Sequence, residues 1–392
     1  MKHVLVLSTL YPNAVEPRRA PYVARSVEAL AKRGDWQVTV VNPIGLPPLA
    51  LGRYRALAEL PELASEGGVI VHRPRFTLLP GIGARRNAAA IARAVLPLAR
   101  RIHAESPFAL IDARLFFPDG PAAADIAATL GLPFSITARG TDLEAWGQQD
   151  HARRQMVAAA CAAQGLLAVS NATAAQVAGL GIDPAAIIVH PTGLDRDRFR
   201  PLDHTQLRRQ LSGSLGFALP DNAPLVACVG ELTARKGQAI AIRALRGVEG
   251  ARLVVAGTGE DMGRLRALAA SEGAADRVFF AGPVDHDLMP LILSAADVSV
   301  LPSASEGLAN VWVESLACGT PVVTSDVGGA RELIASDTAG RLVARTPEAF
   351  AAGINAVLND PPAREAVAAL TERFSWEANA AELAAHYARL VG

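Results

Sequence analysis

Short, almost wholly apolar runs rich in β-branched residues alternate with longer stretches in which alanine, leucine and arginine recur at helical spacing. Strand-like runs stand at His3–Ser8, Gln37–Val41, Leu225–Val229, Arg252–Ala256, Val298–Leu301 and Pro321–Thr324. Helical patterns over 22–33, 86–103, 121–131, 238–246, 260–271 and 309–318 fall between them. Strands that are apolar on both faces, each followed by a helix, predict parallel sheets covered on both sides. The pattern runs twice, and a polar stretch with prolines and glycines from Pro191 to Pro224 separates the two passes. The expected fold class is therefore α/β, with two Rossmann-like, doubly wound domains over 1–200 and 201–373. The last segment, 374–392, reads as an amphipathic helix whose Trp376, Leu383 and Tyr387 pack back on the first domain. Ligands of such sheets sit beyond the carboxyl ends of the strands, and two facing domains would leave a cleft for them.

A chain of 392 residues, 51% hydrophobic and 19% charged, can bury more than one core and is not of disordered composition. No apolar run reaches the length of a bilayer-spanning helix, and no leader precedes the first strand-like run; a cytoplasmic protein is expected. Cys161, Cys228 and Cys318 are isolated and odd in number, which predicts buried free thiols. The zero net charge hides an asymmetry: residues 1–200 carry 22 Lys/Arg against 16 Asp/Glu, and the remainder carries 16 against 22. A basic first half suits an anionic partner. The few aromatics and the absence of a recognition motif argue against nucleic acid.

Three stretches carry candidate chemistry. In Val229–Leu245 a buried strand ends, Gly230 opens a turn, and Arg235-Lys236-Gly237 lead into a helix. Two cations at the carboxyl edge of a sheet form an anion site, and a diphosphate is its natural occupant; a solvated loop tip is the plain alternative. In Val254–Ala269 a second strand runs into Gly257-Thr258-Gly259, a tight turn at the same sheet edge. In Ser303–Val323 a small-residue loop precedes a helix. There the N–H groups of Gly307, Leu308 and Ala309 could hold oxygens, and Glu306 and Glu314 could accept from paired sugar hydroxyls. Loop capping by Glu306 and an ordinary surface acid at Glu314 are the alternative. Asp195-Arg196-Asp197 and Asp285-His286-Asp287 mimic a metal-binding Asp-x-Asp, but read better as turn caps, and His151, His190 and His286 as isolated histidines. The helix 86–103, with Arg86, Arg93, Arg100 and Arg101, is either a solvated helix or a contact for anionic lipid.

Gly230 with Arg235-Lys236-Gly237, Glu306-Gly307-Leu308 with Glu314, Gly319-Thr320-Pro321 and Gly328-Gly329 with Glu332 together resemble the donor half of family 4 glycosyltransferases. The N-terminal segments "STLYPNAVEPRRAPYVARSVEALAKRG" and "ARGTDLEAW" are similar to the subset typified by teichuronic acid biosynthesis glycosyltransferases. The resemblance implies the GT-B architecture and transfer of a sugar, with retention, from a UDP- or GDP-linked donor, without a metal or other cofactor. It implies that Arg235 and Lys236 neutralise the diphosphate and Glu306 sits at the reacting centre. Gly230, Gly257, Gly259, Val284, Gly307, Leu308, Ala309 and Glu314 would line the donor site, with Glu314 on the ribose. Arg139 and Asp142 would face the acceptor, a glycan or a polyprenyl-linked molecule of surface polysaccharide or glycolipid assembly, with possible peripheral membrane contact. The chain departs from the family pattern at Glu231, where Arg is common, at Ala20, where glycine is common, and at Arg139, where His is frequent. A nucleotide-sugar epimerase and an inactive nucleotide-sugar-binding subunit are the competing readings.

Overall fold

The computed structural model describes residues 1–78, 83–215, 219–220, 222–285 and 287–392; His286 lies outside them. The chain divides into two compact units, Met1–Gly193 together with Trp376–Gly392, and Leu194–Ser375. The first break precedes the 200/201 boundary expected from the polar stretch because Leu194 and Phe199 are already buried in the core of unit 2.

Unit 1 contains β1 (Lys2–Leu7), β2 (Trp36–Val41), β3 (Ile44–Leu46), β4 (Leu63–Glu66), β5 (Val69–His72), β6 (Arg75–Thr77), β7 (Leu110–Ala113), β8 (Phe134–Ala138), β9 (Gly165–Ala168) and β10 (Ile187–Val189). Eight of these form one sheet in the order β10-β9-β8-β7-β1-β2-β5-β4, while β3 and β6 pair separately. The large sheet is parallel except at its edge, where β4 runs antiparallel to β5. Its two faces are covered by separate apolar clusters, as the continuous apolar strands require. Helix Asn87–Glu105 covers one face with Ala88, Ile91, Ala92, Val95 and Ala99. Arg93, Arg100 and Arg101 are left on its exposed side.

The terminal helix Trp376–Val391 belongs to unit 1 although it follows unit 2 in the chain. Leu383 and Tyr387 are fully buried there. Buried polar contacts fix its register: the Ser26 hydroxyl donates to Asn379 Oδ1 at 3.0 Å, and Ser135 Oγ lies 2.9 Å from His386 Nε2. His190 Nε2, which sequence left as an isolated histidine, is 3.0 Å from the Asn379 carbonyl oxygen, and burial pushes its ring down to about 4. It is a neutral structural residue of this docking surface.

Unit 2 contains β11 (Leu225–Val229), β12 (Arg252–Ala256), β13 (Val278–Gly282), β14 (Val298–Leu301), β15 (Val322–Ser325) and β16 (Gly340–Val343). They form one wholly parallel sheet in the order β13-β12-β11-β14-β15-β16. The chain winds outward from β11 to β13, then returns to place β14 on the other side of β11. That reversal is a topological switch point, and the loops leaving β11 and β14 stand at the carboxyl edge where such sheets hold ligands. Unit 1 has the same device between β1 and β7. Cys228 and Cys318 are buried as expected, but Cys161 is exposed, because it lies on the outer side of helix Asp150–Ala162, which buries Ala152, Met156, Ala159 and Ala160 instead.

Candidate functional site

The unit 2 site grows from its switch point. β11 ends at Val229, and Leu232, fully buried, anchors the loop that carries Arg235 and Lys236. β14 ends at Leu301, and the loop after it carries Ser303 and Glu306. Because β11 and β14 are neighbours, these loops meet, and side chains some 70 positions apart in sequence pair: Lys236 Nζ lies 2.5 Å from Glu306 Oε1. Arg235 lies 3.5 Å from the same oxygen, and its guanidinium donates to the Ser305 carbonyl at 2.9 Å. The Ser303 hydroxyl adds a third donor to Glu306 Oε1 at 2.6 Å. Glu306 is only 6% exposed, so this carboxylate is a desolvated group held by paired charge and hydrogen bonding.

Main-chain contacts hold the two loops. The Ala304 N–H donates to the Arg235 carbonyl at 2.8 Å. Arg345 spans both, donating to Pro302 O at 2.8 Å and to Ala234 O at 3.0 Å. Gly237 has φ 75°, and a Cβ there would stand 2.1 Å from the Pro302 oxygen. On the far side, Gly328 has φ 52°, and a Cβ would stand 1.8 Å from the Glu306 carbonyl oxygen. The Gly329 N–H donates to Gly307 O at 2.7 Å. These glycines exist because backbone packs on backbone behind Glu306.

Of the remaining expected donor-site residues, Gly257 and Gly259 pack against the β11 loop: added Cβ atoms would meet Gly230 O at 1.9 Å and Leu232 O at 2.2 Å. A Cβ on Gly230 would meet the Lys236 and Leu301 side chains at ordinary contact distance. The Gly257 N–H donates to Gly282 O at 2.8 Å, which brings Val284, two residues beyond β13, to the same sheet edge. Gly307 and Ala309 are buried and Leu308 is half-buried. Among the described residues the Leu308 and Ala309 N–H groups make no hydrogen bond.

Glu314 differs from Glu306. It sits in helix Asn310–Ala317, half-buried, and among the described residues no side chain pairs with it. Burial without a partner pushes its carboxyl up to about 7. The helix after Gly237, Gln238–Ala244, ends earlier than the expected 246 and then turns into a 3₁₀ segment. The positive charge at this edge comes from the side chains of Arg235 and Lys236 rather than from this short helix's terminus. Among the described residues no three His, Cys, Asp or Glu side chains cluster as a metal site would require. Asp195 accepts from the Arg198 N–H at 3.2 Å as a turn cap, and Asp287 pairs with Arg198 at 2.8 Å.

In unit 1 the switch point opens into a cavity of about 370 Å³. Thr9 and Asn42 line it from beyond β1 and β2, Leu115 from beyond β7, and Thr141 and Asp142 from beyond β8. Asp142, expected on the acceptor side, does line the cavity, but its carboxylate already accepts from the N–H groups of Phe116, Arg139 and Leu143 at 2.7, 3.1 and 3.1 Å. It positions the loop rather than offering a free acid. Arg139 is likewise engaged: Nε donates to the Arg114 carbonyl at 3.0 Å and the guanidinium stacks 4.7 Å over Tyr22. Arg139 is not among the cavity's lining residues. Ala20, at the N-terminus of helix Pro21–Lys32, is the one non-glycine residue at positive φ among those described (φ 48°), so this position keeps a glycine conformation although it carries alanine.

Sequence reasoning passed over Ser303 and Arg345 in unit 2 and Asp119 in unit 1. Ser303 had a signal, a hydroxyl three positions before an acid within one loop. Arg345 had none, since it works only through carbonyls brought near by tertiary packing. Asp119 is fully buried, accepts from Thr9 N and Oγ1 at 3.1 and 2.8 Å, and is pushed up to about 7 by that burial.

Residues 20–198 match the Glycosyltransferase Family 4 domain, and residues 216–373 match the Glycosyl transferases group 1 domain. The chain is 37% identical over 225 residues to the D-inositol 3-phosphate glycosyltransferase of Geodermatophilus obscurus, an alignment covering 53% of this chain and 48% of that protein. It is 34% identical over 250 residues to D-inositol 3-phosphate glycosyltransferase 2 of Catenulispora acidiphila, covering 59% and 57%. The matched region thus spans about half the length of these curated relatives. The fold is shared over whole chains. Sucrose-phosphate synthase of Thermosynechococcus elongatus superimposes with a TM-score of 0.79 at 23% identity, covering 100% of this chain and 99% of that one. Anabaena HepE in complex with UDP superimposes with a TM-score of 0.76 at 20% identity, covering 100% of both. Two parallel-sheet α/β units, one matching the family 4 domain and the other the group 1 domain of glycosyltransferases, and the whole-chain likeness to these structures show the GT-B fold.

Proposed function

We propose that the protein transfers a sugar from a nucleoside diphosphate donor bound by unit 2 to an acceptor carried by unit 1, with retention at the anomeric carbon. The observation that carries this reading is the convergence of Arg235, Lys236 and Glu306 at the unit 2 switch point. Two cations and one carboxylate leave a net positive charge there, and a diphosphate supplies the missing anion. As the glycosidic bond breaks, negative charge grows on the departing diphosphate, and cations fixed in advance stabilise it without reorganisation. The acceptor hydroxyl then attacks from the face of the leaving group, and a diphosphate oxygen takes its proton. Glu314, which has no side-chain partner among the described residues, would accept from the ribose hydroxyls. No metal enters this scheme, because Arg235 and Lys236 supply the charge.

The Anabaena HepE protein is described in complex with UDP and with UDP-glucose, so UDP-sugars are the first donors to test. The relatives named for D-inositol 3-phosphate make a phosphorylated polyol one acceptor candidate. A lipid-linked glycan of surface polysaccharide or glycolipid assembly is the other. The test is turnover with a panel of UDP- and GDP-sugars together with the shift in melting temperature on adding UDP or GDP, since a ligand of the native state raises it by mass action. Lys236→Ala and Arg235→Ala should remain folded, lose the nucleotide-dependent shift and lose transfer. Wild-type-like transfer by both variants would refute the assignment. Conversion of the donor with no acceptor present would point to an epimerase instead.

A further inference from the structure

The unit 1 cavity has two chemically different walls. Thr9, Asn42 and Thr141 line it from the carboxyl edge of the large sheet, where a hydroxyl-bearing head can be held. The opposite wall comes from the β3–β6 pair, from helix Arg53–Ala58 and from the start of helix Asn87–Glu105. That wall is mainly Ile44, Tyr54, Leu57, Phe76 and Ile91, with Arg53 and Asn87 at its edge, and Trp146 adds an aromatic face. A small polyol could pair with Asn13, Glu16, Arg19 and Asn42 on the polar side, but hydroxyls turned to the opposite wall would face carbon with no partner, which costs free energy for each one. An apolar chain would meet no such penalty.

The rim carries a second, independent observation. Leu49 and Leu51 are 71% and 66% exposed, and the Tyr54 N–H donates to Leu51 O at 3.1 Å, which ties this apolar tip to the cavity wall. Arg53 and Arg55 follow it directly and are exposed, as are Arg85 and Arg86 just ahead of Asn87, which also lines the cavity. Arg85 and Arg86 have no ion-pair partner among the described residues. Apolar side chains set among arginines are the composition of a surface that rests on anionic lipid.

We propose that this cavity receives the hydrocarbon portion of a lipid-linked acceptor whose chain leaves past the Leu49–Leu51 tip toward an anionic bilayer. The volume supports a shared arrangement: about 370 Å³ holds the part of a long chain nearest its head, and the remainder stays with the membrane. The proposal rests on the transferase reading only in naming the occupant an acceptor.

Trp146 supplies the readout. Farnesyl phosphate, added below its micellar concentration, should change tryptophan emission saturably, and Trp146→Phe should abolish the change. Ala145→Trp, at an exposed position on the cavity's edge, should weaken binding roughly tenfold by filling the space. D-inositol 3-phosphate should bind at least about tenfold more weakly than farnesyl phosphate. Leu49→Glu combined with Leu51→Glu should abolish co-flotation with phosphatidylglycerol-containing vesicles, which the wild type should show. Equal or tighter binding of D-inositol 3-phosphate, farnesyl phosphate binding indifferent to Ala145→Trp, or co-flotation unchanged in the double variant would each overturn the proposal. A UDP-induced rise in melting temperature, measured on the same samples, separates the two readings. If UDP binds and farnesyl phosphate does not, only the lipid proposal falls; if farnesyl phosphate binds and no nucleotide does, only the transferase reading falls.

Discussion

The two switch points solve different problems with the same topology. In unit 2 the loops leaving β11 and β14 bring Lys236, Arg235 and Ser303 onto one carboxylate, in a frame made rigid by glycines packed against carbonyl oxygens. In unit 1 the loops leaving β1, β7 and β8 use their polar groups on one another: Asp119 on Thr9, and Asp142 on three backbone N–H groups. What is left open there is a space with a mostly carbon wall. In the proposed reaction the first site is specified by charge and has to be in place before its ligand arrives, because electrostatic stabilisation depends on groups that do not have to reorganise. The second is specified by shape and by apolar surface, and such a site tolerates a wider range of occupants.

The comparison breaks most visibly if the charges of unit 2 prove dispensable. Lys236→Ala should lower turnover by about 10²–10³-fold, the range found when one pre-positioned electrostatic donor is removed. Circular dichroism of the variant should stay native, since Lys236 is partly solvent-exposed and Glu306 keeps Ser303 and Arg235.

Rigidity behind Glu306 is tested next. Gly328→Ala puts a methyl group into the Glu306 carbonyl oxygen at a positive φ, and should cost about 2–3 kcal/mol in urea unfolding. A loss below about 0.5 kcal/mol would mean that this loop yields easily and that its frame is not what holds the acid.

A smaller effect separates the two glutamates. The Glu314 carboxyl titrates near 7 in the folded chain and at 4.5 ordinarily. A carboxyl raised on folding contributes stability that is complete below pH 4.5 and is lost as pH rises through 7. Glu314→Gln should therefore gain on the wild type by about 1–3 kcal/mol between pH 5 and pH 8, read from melting curves across that range. A constant difference across the range would show that Glu314 is solvated or paired.

Ala20→Gly should have the smallest effect, raising unit 1 stability by about 0.5 kcal/mol. Relief of the left-handed strain slightly outweighs the added freedom of the unfolded chain. Destabilisation would show that the methyl group is packed usefully.

Much of the frame was legible along the chain. β11, β12 and β14 coincide with the apolar runs at Leu225–Val229, Arg252–Ala256 and Val298–Leu301, because a strand buried on both faces has to be apolar at every position. The run expected from Pro321 starts instead at Val322, since proline has no N–H to give the ladder. The short β9 and β10 were not singled out. Gly165–Ala168 and Ile187–Val189 are too brief for their periodicity to stand out from alanine-rich helices.

The sequence by itself settled which loops would carry cations and acids, and that they would emerge at the carboxyl ends of buried strands. Residue type and local period are enough for that. Tertiary structure alone decided that Glu306 would be held by Lys236 while Glu314, eight positions on, has no side-chain partner among the described residues. It also decided that a cavity with a carbon wall would form where β3 and β6 meet the first switch point. Both outcomes depend on strand order, and strand order is a property of the assembled sheet: neighbours such as β11 and β14 are distant in the chain, and no local pattern says which will lie side by side.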